Sequence, residues 1–204
     1  MERPETVEIP PQPMGILELI GGTLSAPRET LRRAAAERPL WLAGAVLVVS
    51  TAAGALPAAI AGLMTPIGPV LANPSTLVVI RLALALAGWL LWGAVVHATA
   101  GLLGGRGSVG SLLSGLALAS APQLLRPALS FINLTPLASA WLGVRVLLVL
   151  WTLGLQVLSV HEAEGLPTQR AALAVALPVL AAVLALGLIM WVSGTLAFLD
   201  LFIG

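Results

Sequence analysis

Apolar residues in this chain come in long uninterrupted runs instead of alternating with polar ones. Five runs stand out, at residues 40–63, 75–103, 109–132, 137–160 and 171–199. A helix rises about 1.5 Å per residue, so about 20 apolar residues cross the ~30 Å hydrocarbon layer of a bilayer. Each run meets that length. A membrane-barrel strand needs only about 10 residues and reads as alternation, so the pattern predicts helices, which satisfy their backbone groups internally. Breakers separate the runs: Thr65-Pro66-Ile67-Gly68-Pro69, Asn73-Pro74, Gly104-Gly105-Arg106-Gly107, Leu134-Thr135-Pro136, and His161 to Gln169. Ser75 is a candidate cap for the second helix. The expected fold is all-α, a polytopic membrane helix bundle with five transmembrane helices over residues 39–204 and only short loops.

The N-terminal part reads differently. Residues 1–13, with Pro4, Pro10, Pro11 and Pro13, are expected to be disordered. Residues 14–38 predict two short cytoplasmic helices. Met14, Ile16, Leu17, Leu19 and Ile20 surround Glu18, as in an amphipathic element lying on the inner leaflet. Ser25 before Pro27 reads as the cap of a second helix, Arg28 to Glu37, whose Arg32 and Arg33 face anionic headgroups. The first 39 residues are mixed in charge and Pro-rich, unlike a secretory leader.

Composition sharpens this picture by exclusion. Of 204 residues, 58% are hydrophobic and 9% charged, and the mean hydropathy is +1.01. Soluble domains carry roughly a quarter charged residues, so a soluble enzyme, a disordered tail and a coiled coil are excluded. A net charge of +1 does not hold a nucleic-acid backbone. There is no Cys, hence no disulfide and no thiolate chemistry. Arg3, Arg28, Arg32, Arg33, Arg38, Arg106 and Arg170 fall on one side of the bundle, against Arg81, Arg126 and Arg145 on the other. The positive-inside rule then puts the N-terminus in the cytoplasm and the C-terminus outside.

Polar residues inside the runs are the functional candidates. Arg81 and Arg145 lie inside the outer ends of the second and fourth spans; either Asp200 is the side-chain carboxylate beside one of them, or both reach headgroup phosphates. His97 and His161 sit at the inner ends of the same spans, where interfacial hydrogen bonding is expected; Glu162 and Glu164 beside His161 allow at most a weak cation site. Gln123, next to Pro122, and Gln156 are candidate buried polar contacts. No nucleophile–base–orienter set emerges, and no cofactor or metal is implied. The stretch Gly105-Arg106-Gly107-Ser108-Val109-Gly110 matches G-x-G-x-x-G, but it follows a helix instead of a strand and reads as a flexible inner turn. Ser111, Gly115 and Ala119, like Gly54, Ala58 and Gly62, form small-residue stripes that allow close helix packing. Pro57, Pro122 and Pro178 predict kinks in spans one, three and five. A shift of 64 positions lays Arg81 on Arg145, His97 on His161 and Arg106 on Arg170, as in a parallel internal repeat.

Four segments carry a family resemblance: Ala26-Pro27-Arg28-Glu29-Thr30-Leu31; His97 with Ala100 to Gly105 and Gly107-Ser108; Leu118-Ala119-Ser120-Ala121-Pro122; and Val157 to His161 with Arg170-Ala171. Together they resemble the Yip1 family of five-span membrane proteins over roughly residues 16–200. The resemblance implies a membrane protein without assigned catalytic residues. Eukaryotic members are linked to vesicle traffic and Rab-type GTPases, but the acidic and Gly-Pro motifs of their cytoplasmic region are not found here, which argues against Rab-type binding. All ten basic residues are Arg, which points to a GC-rich prokaryotic genome.

The reading is therefore a non-catalytic scaffold or interaction protein of the cell membrane, whose partners are membrane lipids, other membrane proteins or a second copy. The competing reading is a small-solute transporter or channel subunit using the kinked spans three and five with Gln123 and Gln156. A polar, water-accessible cavity at mid-membrane distinguishes the two, since only the transporter needs one. An intramembrane hydrolase would require a Ser bonded to His97 or His161.

Overall fold

The computed structural model describes residues 15–62, 74–126, 129 and 138–203. The expected disorder of residues 1–13, the loops over residues 63–73 and 130–137, and the side chains of Ser75 and Pro57 lie outside the described residues. Those residues form seven α-helices and no strand: α1 Ile16–Ser25, α2 Pro27–Glu37, α3 Leu40–Gly62, α4 Pro74–Leu102, α5 Val109–Leu118, α6 Ala138–Glu164 and α7 Thr168–Ile203. A 3-10 turn, Ala121–Leu125, follows α5.

Among the described residues, three stretches are long and apolar enough to cross a bilayer: Val78–Leu102, Leu142–Glu164 and Thr168–Ser193. They correspond to the second, fourth and fifth runs of the sequence. The last two extend past those runs, α6 by carrying on through Glu164 and α7 by starting at Thr168. Pro178 lies inside α7 without ending it. The first run is α3. The third is not one helix, because α5 stops at Leu118 and the chain tightens into the 3-10 turn with Pro122 in its first positions. Pro122 lacks the N–H that would have bonded the Leu118 carbonyl. Ser120 tightens the turn, donating both its amide (3.1 Å) and its hydroxyl (2.6 Å) to the Ala117 carbonyl.

α5 is the hub. From Ser111 to Ala119 all residues except Leu113 are buried, and α5 packs against α2, α3, α4 and α6. Its small residues make this possible, since without a hydrophobic drive in lipid, helices associate through close backbone approach. A Cβ at Gly115 would stand 2.9 Å from the Ser159 Cβ on α6. One core joins Leu19, Leu31, Val46, Leu118 and Leu155 from α1, α2, α3, α5 and α6. The other joins Val96, Leu112, Val160 and Val175 from α4, α5, α6 and α7.

The two N-terminal helices form as expected but are placed otherwise. α1 does not merely lie on a surface: Leu19 and Thr23 are buried against the bundle, and α1 contacts α2, α3 and α5. Ser25 does not cap α2; its hydroxyl donates back to the Gly21 carbonyl, and the α2 N-cap is Ala26, with Pro27 at the first helical position. Arg32 and Arg33 are engaged by the chain's own acids. Arg32 pairs with Glu29 at 2.7 Å, and Arg33 with Glu37 at 2.6 Å and with Glu18 of α1 at 3.4 Å. The Glu37 hydrogen bond holds the Arg33 pKa above its ordinary value.

The α5–α6 contact makes a direct prediction. Gly115→Val overpacks the Ser159 contact and is expected to cost about 1–3 kcal/mol, read as a lowered Tm in detergent. Gly143→Ala, on an exposed stretch of α6 with no neighbour within 4 Å, is expected not to lower Tm.

Candidate functional site

Two polar constellations stand apart in the bundle. The first lies where α4, the 103–108 turn, α6 and α2 meet. Glu164 ends α6 with its side chain 0% exposed. One carboxyl oxygen is 2.7 Å from His97 Nδ1 on α4, and the other accepts from the Gly107 amide at 2.9 Å. The Glu164 carbonyl, left without an intrahelical donor at the helix end, accepts from the Arg106 amide at 3.2 Å. A helix C-terminus repels negative charge and burial penalises it, so these donors are what keep the carboxyl there.

The local sequence explains the approach. Gly165 takes the left-handed conformation, φ +65°, that ends α6, and its amide bonds the His161 carbonyl. Gly107 has no room for a side chain, because a Cβ would run into the Ala163 carbonyl. The turn expected to be flexible is therefore pinned. Arg170 of α7 adds a bond to the Leu103 carbonyl at 3.3 Å, and Glu162, 12% exposed, pairs with Arg28 of α2 at 3.2 Å. Glu162 and Glu164 thus tie one helix end to α2 and to α4 respectively. His161 bonds the Leu166 carbonyl through Nδ1, so the two histidines aligned by the 64-residue offset have different partners.

The second constellation lies along the bundle from the first. Ser50 and Thr51 of α3, Arg81 of α4, and Ser120, Gln123 and Arg126 around the 3-10 turn line a cleft of about 500 Å³. Sixteen residues of α4, about 24 Å, separate Arg81 from His97. Gln123 also donates to the Thr152 hydroxyl at 3.1 Å.

Of the residues singled out in the sequence, Arg81 and Gln123 share this cleft, and His97 and His161 share the opposite end. Gln156 stands apart, with its side-chain oxygen buried and unpartnered. Arg145 is exposed on α6, and the side chain of Asp200 lies outside the described residues. Sequence reasoning misses Glu164, Arg126, Ser50 and Thr51 as contributors. Glu164 was seen only as a neighbour of His161, although it and Glu162 are the only carboxylates between Glu37 and Asp200. Arg126 and Ser50 carried no signal beyond their rarity as polar groups in apolar runs. Among the described residues, no serine bonds either histidine ring, and no group of three or more His, Asp or Glu could hold a metal ion.

The family model for the Yip1 domain matches residues 21–190. No curated protein and no solved structure matches the chain.

Removing the Glu164 carboxyl strands the His97 ring and the Gly107 amide together. Glu164→Ala is expected to destabilise the chain by about 1–3 kcal/mol in thermal unfolding. His97→Ala, which leaves the buried carboxyl with the Gly107 amide but without the ring, is expected to lower Tm as well.

Proposed function

Because this chain belongs to the Yip1 domain family, a family of multi-pass membrane proteins, we propose that it is a non-catalytic scaffold or interaction protein of the cell membrane. Its N-terminus is cytoplasmic, and five crossings leave the C-terminus outside. The observation that supports this best is the uneven packing of the bundle. One end is closed by α1, α2 and the Glu164 junction. Away from it, every residue of α7 from Val179 to Ser193 is exposed. That stretch is about 22 Å long and carries Ala181, Ala182, Ala185 and Gly187, the small residues through which helices associate in lipid. A rigid end with a long exposed arm suits holding other membrane helices.

Small-solute transport is the second reading, and the polar cleft beside the broken third run favours it. Passage from the cleft to the Glu164 end would have to open the intervening α5, where Leu112, Leu116, Ala117, Leu118 and Ala119 are buried. Packing of that kind suits a static element better than a gate.

In-cell photo-crosslinking from Leu184 and Leu188 separates the two. The scaffold reading predicts discrete protein adducts of constant mass, to a second copy or another membrane protein. Lipid adducts alone, with solute flux in proteoliposomes of the purified chain, would reject it in favour of transport.

A further inference from the structure

The cleft between α3, α4 and the 3-10 turn gathers positive charge without balancing it. Arg81 and Arg126 both line it, and among the described residues no carboxyl group does. Neither guanidinium has a hydrogen bond or ion pair among the described residues. Two like charges facing one cleft in a low-dielectric setting repel, and an anion between them removes that cost.

A second, independent feature points the same way. Ser50 lines the cleft, is 2% exposed, and its hydroxyl has no partner. Thr23, Thr99, Thr152 and Ser159, also on helices, each donate to the carbonyl four residues back. Ser50 does not, which leaves a buried donor at the cleft wall, where an unmade bond is costly. Two guanidiniums and a hydroxyl are the donor set that a tetrahedral oxyanion takes, with the planar Arg forks bonding pairs of oxygens.

Depth and surroundings indicate the source of the anion. With His97 at one boundary of the ~30 Å hydrocarbon layer, Arg81 lies about 24 Å along α4, some 6 Å short of the other boundary. That is within reach of a headgroup drawn slightly inward. Leu84, which lines the cleft, is 67% exposed, and Ile80 and Val79 next to it on α4 are exposed as well. The cleft therefore opens onto an apolar helix face along which acyl chains can lie.

We propose that this cleft binds the phosphate group of an anionic phospholipid, clamped between Arg81 and Arg126 with the Ser50 hydroxyl as a further donor. The proposal gives the protein a specific lipid ligand and does not rest on the scaffold reading.

Native mass spectrometry of the purified full chain tests it, with titrations of phosphatidylglycerol, of diacylglycerol with the same acyl chains, and of inorganic phosphate. The expected result is one tightly held phosphatidylglycerol and no retained diacylglycerol. Arg81→Gln with Arg126→Gln should weaken phosphatidylglycerol binding about tenfold or more, while Arg145→Gln, outside the cleft, leaves it unchanged. If the double variant does not fold, the single Arg81→Gln and Arg126→Gln variants carry the test, each with a several-fold loss. Inorganic phosphate bound by the native chain and lost in the Gln variants, without phosphatidylglycerol binding, supports the phosphate site and makes its source a soluble one. Equal phosphatidylglycerol binding by the native chain and the Gln variants overturns the proposal, as does an equal loss in Arg145→Gln.

Discussion

The carboxyl group of Glu164 is buried at the end of α6, where both desolvation and the helix dipole oppose it. Its tolerance there depends on donors from two other parts of the chain: the His97 ring on α4 and the Gly107 amide in the turn leading to α5. Because one side chain needs both, the ends of α4, α5 and α6 are fixed relative to one another. The neighbouring Glu162 extends the same dependence to α2 through Arg28. Hydrophobic burial does not discriminate well among helix arrangements in lipid, since the acyl chains are as apolar as leucine. A buried polar junction does, because sliding or rotating any of these helices strands a polar group.

That junction gives the bundle its polarity. At the Glu164 end, several charges are paired within the chain: Arg28 with Glu162, Arg32 with Glu29, and Arg33 with Glu37 and Glu18. In the Arg81–Arg126 cleft, no carboxyl group is present among the described lining residues. Between them α5 is packed with small and branched apolar side chains. A solved electrostatic problem at one end and an open one along the bundle suit a protein that holds its own shape and is completed by what surrounds it in the membrane.

Much of the helical content was legible because apolar runs of membrane length leave few alternatives. The run at residues 75–103 became α4, Pro74–Leu102, almost residue for residue. The run at 109–132 misled, since a count of apolar residues does not register that Ser120 and Pro122 together convert a helix into a 3-10 turn. The short N-terminal helices were legible as helices but not in their docking: the apolar face carrying Leu19 looks the same whether it meets lipid or protein. Among polar residues, Arg81, His97 and Gln123 announced themselves by rarity. Glu164 did not, because its partner His97 lies 67 positions away while His161 stands three residues off and bonds elsewhere. The glycines around Arg106 suggested freedom, whereas Gly107 marks close approach.

The most direct measurement of this account is amide hydrogen exchange over residues 103–108 of the full chain in lipid nanodiscs. If Glu164 anchors the turn, the Arg106 and Gly107 amides exchange as slowly as those of the adjoining helix ends. Exchange at the rate of an open glycine-rich loop would contradict it, and with it the claim that one buried carboxyl group sets the arrangement of the helices.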